Sequence, residues 1–481
     1  MTERTSTGRF APGLRQALIA FALAQFICSF AGSNMNVMIS DISEDLNTTV
    51  QGVQLAITLF LLVMAALMIP GGKLTDLLGR KWCLIAGLLL FGTGALLSAF
   101  APGIGILVIG YSIFEGVGTA LLIPPVYILT TLLFTDIGSR ARAFGAISAM
   151  GGIGAVAGPL IGGFVASAIH WRAAFVLQAV IVLVIVLLAR RAVRDPLPAD
   201  RGMPFDVLGA VLSAAGLILI VMGILVSDEN VWAMLGLIVA GALMLVWFFA
   251  TVRAKERTGR EPLLSTVLFR NRVSNLGLIT QNMQWLMVMG CSFVVSTYLQ
   301  VVKGYNAIET GGVFTATTVG VLISSVAAGP MARRWPQRTL IISGFLTTIA
   351  GIALLLLLGG TGNGIAAMLP GLFVIGLGLG GMLTPSVNVV QSSFGEDLQG
   401  EISGLSRSVS NLGSSLGAAL TGTILVSQVD SAAPGRAYVW AMIAVAGAGV
   451  IGLVAAAYLP RGGFTPASAA QPAPAGGSRS T

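Results

Sequence analysis

Long runs of apolar residues, separated by short polar breaks, occupy most of this 481-residue sequence. A helix needs about 20 predominantly apolar residues to cross the hydrocarbon core of a bilayer. With 55% hydrophobic and 10% charged residues and a mean hydropathy of +0.90, a soluble chain could not bury its apolar surface. The sequence therefore predicts an all-α membrane protein. Fourteen runs are long enough to be transmembrane helices: 16–39, 51–71, 82–100, 104–130, 141–166, 172–189, 207–227, 231–251, 273–299, 312–330, 339–358, 364–391, 402–426 and 437–459.

The basic residues indicate how these helices are oriented. An even number of spans places both termini on one side of the membrane. If that side is the cytoplasm, the outward segments hold only Arg172, Lys303 and Arg436, and the other 24 of the 27 Lys and Arg residues lie inside. This asymmetry follows the positive-inside rule. Because the basic residues form short interhelical clusters and no continuous face, they do not suggest nucleic-acid binding.

Residues with catalytic or metal-binding chemistry are sparse. Cys28, Cys83 and Cys291 lie in or beside apolar runs without the spacing of a metal site or a disulfide framework, which favours a packing role. The single histidine, His170, falls at a predicted outer helix edge. The ATP-binding G-x-x-x-x-G-K-[ST] motif and the metalloprotease motif H-E-x-x-H are absent. We therefore expect no enzyme activity, no metal and no cofactor, so that an ion gradient must supply any energy.

Glu115 is the one acidic residue that falls deep within a predicted span. The other Asp and Glu residues, of 19 in total, lie in loops, tails or helix ends. Span four starts outside near Ile104, so Glu115 lies about 16 Å below the outer surface. This depth is close to the bilayer midplane, where an ionisable residue indicates a functional site.

Three matched segments indicate an internal repeat. They are 72–81 with 329–338, 116–125 with 376–385, and 154–163 with 413–422. Repeats of this kind occur in secondary transporters, whose substrate site lies between the halves. The predicted organisation is a cytoplasmic tail at 1–15, a six-helix half at 16–190, a linker with two inserted helices at 191–272, a second six-helix half at 273–460, and a disordered tail at 461–481.

Two motifs resemble those of the major facilitator superfamily and, within it, of the fourteen-helix bacterial drug:proton antiporters. The first, G-x-x-x-D-x-x-G-[RK]-[RK], follows span two, and the second, the antiporter motif G-x-x-x-G-P-x-x-G-G, lies in span five. The first comprises Gly72, Asp76, Gly79, Arg80 and Lys81, and the second Gly154, Gly158, Pro159, Gly162 and Gly163. The resemblance implies the major facilitator fold and a monomer in the bacterial cytoplasmic membrane. It also implies proton-driven export of drug-like compounds by alternating access.

Two charged positions of the resembled family are missing from this sequence. The family usually has an Arg in helix four, where this chain has Ser112, and its Gln three residues later is Glu115 here. The family also often has an Asp five residues before the position of Asn36, where this chain has Ala31. The usual proton-coupling residues therefore cannot be transferred by analogy.

Each motif has a functional and a plain structural interpretation. Asp76, Arg80 and Lys81 could form a cytoplasmic latch that favours the outward-open state, or a tight loop that merely follows the positive-inside rule. The repeat copy has Arg333 in place of the Asp and Pro336 in place of the second Gly, so we expect an asymmetric latch. The glycines and Pro159 of span five could form a bendable gate, or ordinary small-residue packing. A dinucleotide site is excluded there, because it needs a preceding strand.

The resemblance places spans one, four, nine and twelve around the substrate cavity. Each buried amide could contact substrate or instead hold helices together by hydrogen bonds. Arg407, a turn or two into span thirteen, could snorkel or line a cytoplasmic vestibule. The candidate cavity residues are Gln25, Asn34, Asn36, Tyr111, Glu115, Gln281, Asn282, Gln284 and Trp285.

Glu115 is the candidate proton-coupling residue. Ionisation is costly without water, so we expect it to hold a proton when the cavity is closed and to release it when the cavity hydrates. The alternative is a Glu permanently hydrogen-bonded to Tyr111 or to a span-one amide. The leading hypothesis is a proton-coupled exporter of amphipathic or cationic drug-like compounds. The alternatives are an exporter of an endogenous lipid or secondary metabolite, and a non-transporting membrane scaffold or sensor.

Overall fold

A computed structural model describes residues 12–134, 137–193, 195, 205–226, 230–359, 365–394, 398–426 and 434–460. Over these residues the regular secondary structure is entirely helical. The predicted disordered tail at 461–481 and most of the predicted N-terminal tail lie outside the described residues. An all-α fold is confirmed.

The first half begins with a nearly continuous helix that is tightened between α1 and α2. A 3₁₀ turn, Met35–Met38, joins α1 to α2, and a π-helical segment, Val108–Glu115, joins α5 to α6. The helices of this half are α1 (Pro12–Asn34), α2 (Ile39–Asp45), α3 (Val50–Leu78), α4 (Arg80–Ala99), α5 (Ile104–Leu107), α6 (Gly116–Leu133), α7 (Ile137–Ala168) and α8 (Trp171–Ala192).

Two inserted helices and a short connecting helix follow, and then the second half. Another π-helical segment, Tyr298–Val302, ends the first long helix of that half, and a 3₁₀ turn, Ile365–Ala367, precedes α15. The remaining helices are α9 (Val207–Leu225), α10 (Val231–Arg257), α11 (Val267–Arg270), α12 (Arg272–Thr297), α13 (Ala307–Arg334), α14 (Gln337–Gly359), α15 (Leu369–Gln391), α16 (Gln399–Val426) and α17 (Pro434–Ala457).

Every one of the fourteen predicted segments forms a helix, and 13 of the described helices are long and apolar enough to cross a membrane. The exception is α16, which is 28 residues long but carries serine on one turn after another. Many of these serines are buried between helices: Ser406, Ser408, Ser410, Ser414 and Ser415. The serines lower the apolar character of α16 without exposing it to lipid, because α16 packs between α3 and α12.

The two halves pack their helices in the same way. In the first half α1 packs on α7 and α8, and in the second half the corresponding α12 packs on α16 and α17. Likewise α4 packs on α6 and α8, and α14 on α15 and α17. Across the halves α3 lies along α16, and α7 lies along α13. The fold is therefore two six-helix halves plus the inserted pair α9 and α10. The exact boundaries between these parts, at residues 190, 272 and 460, stay a prediction.

The side of the bundle that carries Asn47 and Lys303 is called the outer end, and the side that carries Gly79 the inner end. At the outer end the backbone carbonyl of Asn36 accepts a hydrogen bond from the Ser296 hydroxyl and one of 2.8 Å from the Gln300 amide. Gln300 Oε1 in turn accepts from the backbone N–H of Ser40, at 3.2 Å. These bonds join the two halves, so the outer end is closed.

A second seam between the halves, called the α3–α16 seam, runs along those two helices. The Ser415 hydroxyl donates to the Thr58 carbonyl at 3.1 Å, and the Ser408 hydroxyl donates to the Ala65 carbonyl. Nearer the outer end, the Gln54 amide donates to the carbonyls of Ala418 and Ala419, at 3.4 Å each. In every case a side chain of one helix donates to a backbone carbonyl of the other helix.

Candidate functional site

Glu115 ends the π-helical segment Val108–Glu115 and is fully buried. Neither of its carboxyl oxygens has a hydrogen-bond partner within the described residues. A buried polar group normally has such a partner, and an exception needs an explanation. π-helical segments are frequent at functional sites. The structure therefore places the only deep carboxyl predicted from the sequence in an irregular stretch of helix and without a partner.

Tyr111 lies one turn before Glu115 but does not bind it. Its hydroxyl donates a hydrogen bond of 3.0 Å to the backbone carbonyl of Ala31 on α1. Its ring stacks on Phe60 with the centroids 4.5 Å apart and meets the edge of Phe175 at 6.0 Å. The permanent hydrogen bond from Tyr111 to Glu115, considered as an alternative above, is absent from this structure.

Hydroxyl side chains lie around Glu115, and one of them, Ser112, stands where the resembled family usually has an Arg. The Ser112 hydroxyl donates to the Ala56 carbonyl on α3 at 2.7 Å, and the Thr119 hydroxyl donates to the Glu115 carbonyl at 2.8 Å. Small residues let α4 approach the same segment, because a Cβ on Gly94 would lie 2.8 Å from the Glu115 backbone nitrogen. The walls around Glu115 are thus uncharged and closely packed. An introduced Arg at the Ser112 position would have to displace this packing.

A polar chain connects the two halves nearer the inner end. The Tyr127 hydroxyl donates to Gln25 Oε1 at 3.3 Å, and the Arg407 guanidinium donates to the Tyr127 hydroxyl. The guanidinium carbon of Arg407 also lies 5.0 Å from the centre of the Tyr127 ring. Gln25 donates to Ser29 at 3.3 Å along its own helix. Arg407 therefore reaches from the second half to the first.

Three amide side chains of α12 hold the helices of the second half together. Gln281 Oε1 accepts from the Ser406 hydroxyl at 2.9 Å, and the Asn282 amide donates to the Val409 carbonyl at 2.8 Å. Gln284 accepts from Ser386 at 2.7 Å and donates to the Leu379 carbonyl at 3.4 Å. Trp285 is half-buried. For the three amides the helix-joining interpretation fits the contacts better than direct substrate contact.

The two asparagines of the first helix differ in their contacts. Both side-chain polar atoms of the buried Asn34 lack a hydrogen-bond partner in the described part of the chain. Asn36 donates to the Ser33 carbonyl at 3.4 Å and approaches the sulfur of Met289 at 3.7 Å. Of the predicted cavity residues, Asn34, Asn36 through its Oδ1, and Glu115 thus keep buried polar atoms without a partner among the described residues.

The first motif forms a charged junction within the first half. Asp76 accepts from Arg80 at 2.8 Å, and Asp195 accepts from the backbone N–H groups of Arg80 and Lys81 at 2.8 and 3.3 Å. Lys81 donates to the Arg190 carbonyl at 3.0 Å. Gly79 has φ +96°, a backbone conformation that favours glycine. The N-terminus of α4 is thus bound by Asp195, whose role the sequence did not indicate because it lies 115 residues from Arg80.

The second motif packs α7 against α1 and, at its outer end, against α13. A Cβ on Gly154 would meet the Phe26 carbonyl, one on Gly158 the Ser33 hydroxyl, and one on Gly162 the Asn34 Cβ. A Cβ on Gly163 would meet the Ala307 carbonyl of the second half. The helix continues through Pro159. Three of these glycines therefore allow close packing of α7 on α1 within the first half, and Gly163 allows it against the second half; the gate interpretation stays a prediction.

Other predicted features have simple surroundings. Cys28, Cys83 and Cys291 are free and buried, and the described residues hold no cluster of three potential metal ligands. Two residues of the polar chain, Tyr127 and Ser29, were missed by the sequence reasoning. Tyr127 lies on span four, which was predicted to line the cavity, so its hydroxyl was a usable signal.

The chain matches the sequence model of the Major Facilitator Superfamily over residues 21–204 and 197–418. It is 30% identical to the puromycin resistance protein pur8 of Streptomyces alboniger, over 85% of this chain and 81% of that protein. It is 28% identical to the multidrug efflux pump LfrA of Mycolicibacterium smegmatis, again over 85% and 81% of the two chains. The probable actinorhodin transporter of Streptomyces coelicolor is 28% identical over 84% of this chain and 71% of its own.

A solved structure has the same fold. The crystal structure of the peptide transporter POT in complex with sulfate superposes with a TM-score of 0.69, covers 96% of each chain, and is 16% identical in sequence. At that identity the likeness concerns the arrangement of the helices alone.

Proposed function

Because the chain belongs to the major facilitator superfamily, we propose that it is a proton-coupled antiporter that exports amphipathic or cationic drug-like compounds. Relatives named as puromycin resistance and multidrug efflux proteins, aligned over most of this chain, support the substrate class. We place the protein in the bacterial cytoplasmic membrane as a monomer with both termini in the cytoplasm.

The observation that carries the coupling proposal is the buried carboxyl of Glu115 without a hydrogen-bond partner. An ionised carboxylate in such surroundings would cost several kcal/mol. In the closed site Glu115 therefore holds a proton. When the cavity opens and hydrates, water solvates the carboxylate and the proton leaves. A cationic substrate competes with the proton for the same group, which produces exchange.

Alternating access requires the two ends to open in turn. At the outer end the bonds of the Asn36 carbonyl to Ser296 and Gln300 must break. At the inner end Arg407 must leave Tyr127. The α3–α16 seam also joins the halves, so its hydrogen bonds nearest the opening end must break in the same motion. The close glycine packing of α7 on α1 holds these two helices of the first half together during the motion. The junction of Asp76, Arg80 and Asp195 keeps α3, α4 and the end of α8 moving together.

Reconstituted protein tests the proposal directly. We expect Glu115→Gln in proteoliposomes with an imposed pH gradient to lose proton-driven transport of ethidium or puromycin. Glu44→Gln, which removes an exposed carboxylate at the outer end, is the matched control and should transport at the wild-type rate. Unchanged proton-driven transport and unchanged substrate affinity in Glu115→Gln would refute the assignment.

A second measurement on the same variant separates the two roles of the carboxyl. If Glu115 binds only the proton, Glu115→Gln keeps downhill substrate exchange and loses the response to the pH gradient. If it also binds the cation, substrate affinity falls as well. Both results support a role for Glu115 in the transport cycle.

A narrower substrate is the second candidate function. Relatives named as a probable actinorhodin transporter and as a tetracenomycin C resistance and export protein favour export of one secondary metabolite. A panel of unrelated cationic dyes and antibiotics distinguishes the candidates, because a dedicated metabolite exporter would transport few or none of them.

A further inference from the structure

A groove at the inner end of the inserted helix pair has an excess of positive charge. Its volume is about 460 Å³, and it lies where α10 ends and α11 begins. We call it the arginine groove. Its lining residues are Arg253, Arg257 and Arg270 together with Glu256 and Thr266.

The single carboxylate of the arginine groove is already occupied. Glu256 accepts hydrogen bonds from the backbone N–H of Thr266 at 2.7 Å, from the Thr266 hydroxyl at 2.5 Å and from the Ser265 hydroxyl at 3.4 Å. The positive charge of Arg270 favours the ionised form of Glu256, but the ion pairs of the described residues, with N–O distances up to 4.0 Å, include none between the two side chains. Glu256 therefore positions the connecting segment and leaves the cations poorly neutralised.

Nearby basic residues show the contrast. Lys255 pairs with Asp206 at 2.5 Å, and Lys73 pairs with Glu261 at 3.4 Å. Arg253, Arg257 and Arg270 are exposed, and the ion pairs found among the described residues include none of them. Three guanidinium groups around one groove form a fork-shaped donor set that suits a phosphate.

The surface next to the groove is apolar. Along α10, Leu243, Val246 and Trp247 are 63%, 66% and 57% exposed, and Trp247 lies about two turns before Arg253. This helix packs mainly on α9 and leaves most of its circumference open. A ligand held by the arginines would thus lie with its remainder along the lipid-facing side of α10.

We propose that the arginine groove binds the headgroup of an anionic phospholipid, with its acyl chains along the exposed face of α10. Basic pockets beside transmembrane helices on the cytoplasmic side bind such headgroups. A free phosphate fits the guanidinium groups equally well but would gain nothing from the apolar face. This gives the inserted helices a function that is separate from the transport site.

The proposed site adjoins a moving part of the protein. The Glu401 carboxylate, in the first turn of α16, accepts from the backbone N–H of Ser265 at 2.9 Å, and Ser265 also binds Glu256. A bound headgroup therefore stabilises the connection between the inserted pair and α16, the helix that carries Arg407.

The test measures lipid binding to the purified full chain by native mass spectrometry. Dioleoyl phosphatidylglycerol is titrated against dioleoyl phosphatidylcholine, with Arg253→Gln/Arg257→Gln/Arg270→Gln beside the wild type. We expect the triple variant to bind phosphatidylglycerol on the order of 100-fold more weakly, since each cation near an anionic lipid contributes about fivefold. Arg15→Gln removes an exposed inner-end arginine of the first half and should change binding less than about twofold.

Three results would overturn the proposal. They are equal affinity of the wild type for the two lipids, unchanged phosphatidylglycerol binding by the triple variant, and displacement of the lipid by inorganic phosphate at equal concentration. If the triple variant does not fold, Arg257→Gln alone replaces it, with an expected loss of about fivefold. Unchanged affinity in that single variant would also contradict the site.

Discussion

The Tyr111 hydroxyl donates a hydrogen bond of 3.0 Å to the backbone carbonyl of Ala31. Ala31 stands where the resembled family often has an acidic residue, and its main-chain carbonyl receives a side-chain donor from span four. The bond fixes the π-helical segment against α1 and directs Tyr111 away from Glu115. The bond therefore connects α1 to the π-helical segment and leaves the Glu115 carboxyl without this donor.

Tyr111→Phe tests this connection. The variant keeps the ring between Phe60 and Phe175 but leaves the buried Ala31 carbonyl without its donor, which should lower the free energy of unfolding by about 1–3 kcal/mol. Thermal unfolding of the detergent-solubilised protein measures the change. Tyr458→Phe removes the hydroxyl of a tyrosine that is 64% exposed and should leave the unfolding temperature unchanged. Equal behaviour of the two variants would contradict the structural role of the bond.

Gly158→Ala tests the packing of α7 on α1. An added Cβ would overlap the Ser33 hydroxyl and lie 2.9 Å from the backbone nitrogen of Asn34, so we expect a loss of about 1–3 kcal/mol in stability and slower transport. Gly152→Ala is the control, because a Cβ there meets nothing within 4 Å and alanine favours the helix. A stable and fully active Gly158→Ala protein would rule out the close approach.

Arg407→Gln tests the contact between the halves at the inner end. The change removes the charge that lies over the Tyr127 ring and the hydrogen bond to its hydroxyl, so the inner end should open more often. We expect alkylation of Cys28 by N-ethylmaleimide to become several-fold faster, with Cys83 and Cys291 replaced by serine. Loss of a cation–ring contact costs about 1 kcal/mol in a partly buried pair, which corresponds to a several-fold increase in opening.

The corresponding control uses the partner residue. Tyr127→Phe keeps the ring and the cation–ring contact but loses the hydroxyl, and it should accelerate alkylation less than Arg407→Gln does. If both variants left the alkylation rate at the wild-type value, Arg407 would not be part of a closure.

Asp206, which lies outside the membrane spans, should make the stability of the protein depend on pH. Burial opposes ionisation of Asp206 and would raise its pKa. Lys255 lowers the pKa through a hydrogen bond and its positive charge, and the backbone N–H groups of Gly209 and Leu263 lower it further. Together these contacts outweigh the effect of burial and hold the pKa of Asp206 below its usual 3.8. A carboxyl with a depressed pKa stabilises the fold above the unfolded-state value, and this contribution disappears as the pH falls through the folded-state pKa.

Asp206→Asn therefore lowers the unfolding temperature at pH 7, and the difference from the wild type shrinks below about pH 4. Thermal unfolding at pH values from about 3 to 8 measures both effects. Glu261→Gln breaks an exposed pair with Lys73 and should change the unfolding temperature little at any pH. A difference for Asp206→Asn that stayed constant down to pH 3 would contradict the linkage.

Hydropathy and spacing were enough to predict the helices, because a bilayer span demands a long apolar run whatever its partners are. Even the serine-rich α16 was found at 402–426, although its polar residues are tolerated only because neighbouring helices cover them. The depth of Glu115 followed from counting residues along span four. These features depend on local sequence and can therefore be predicted from it.

Other features depend on contacts that local sequence does not encode. The π-helical segment at Val108–Glu115 has no sequence signature, since a shift in hydrogen-bond pattern depends on how α3 and α4 press against it. The pair formed by Arg407 and Tyr127 joins residues 280 positions apart. The amides of α12 were predicted to lie at depth, but their partners on α15 and α16 could not be chosen from sequence alone.

The α3–α16 seam has an evolutionary consequence. Since its acceptors are main-chain carbonyls at Thr58, Ala65, Ala418 and Ala419, any residue that keeps the helix supplies the same oxygens. Substitutions that change the acceptor side chains leave those bonds in place, whereas the donors Gln54, Ser408 and Ser415 are fixed by chemistry. Variation is therefore free to accumulate at the acceptor positions of both helices, while the two halves stay joined by the same hydrogen bonds.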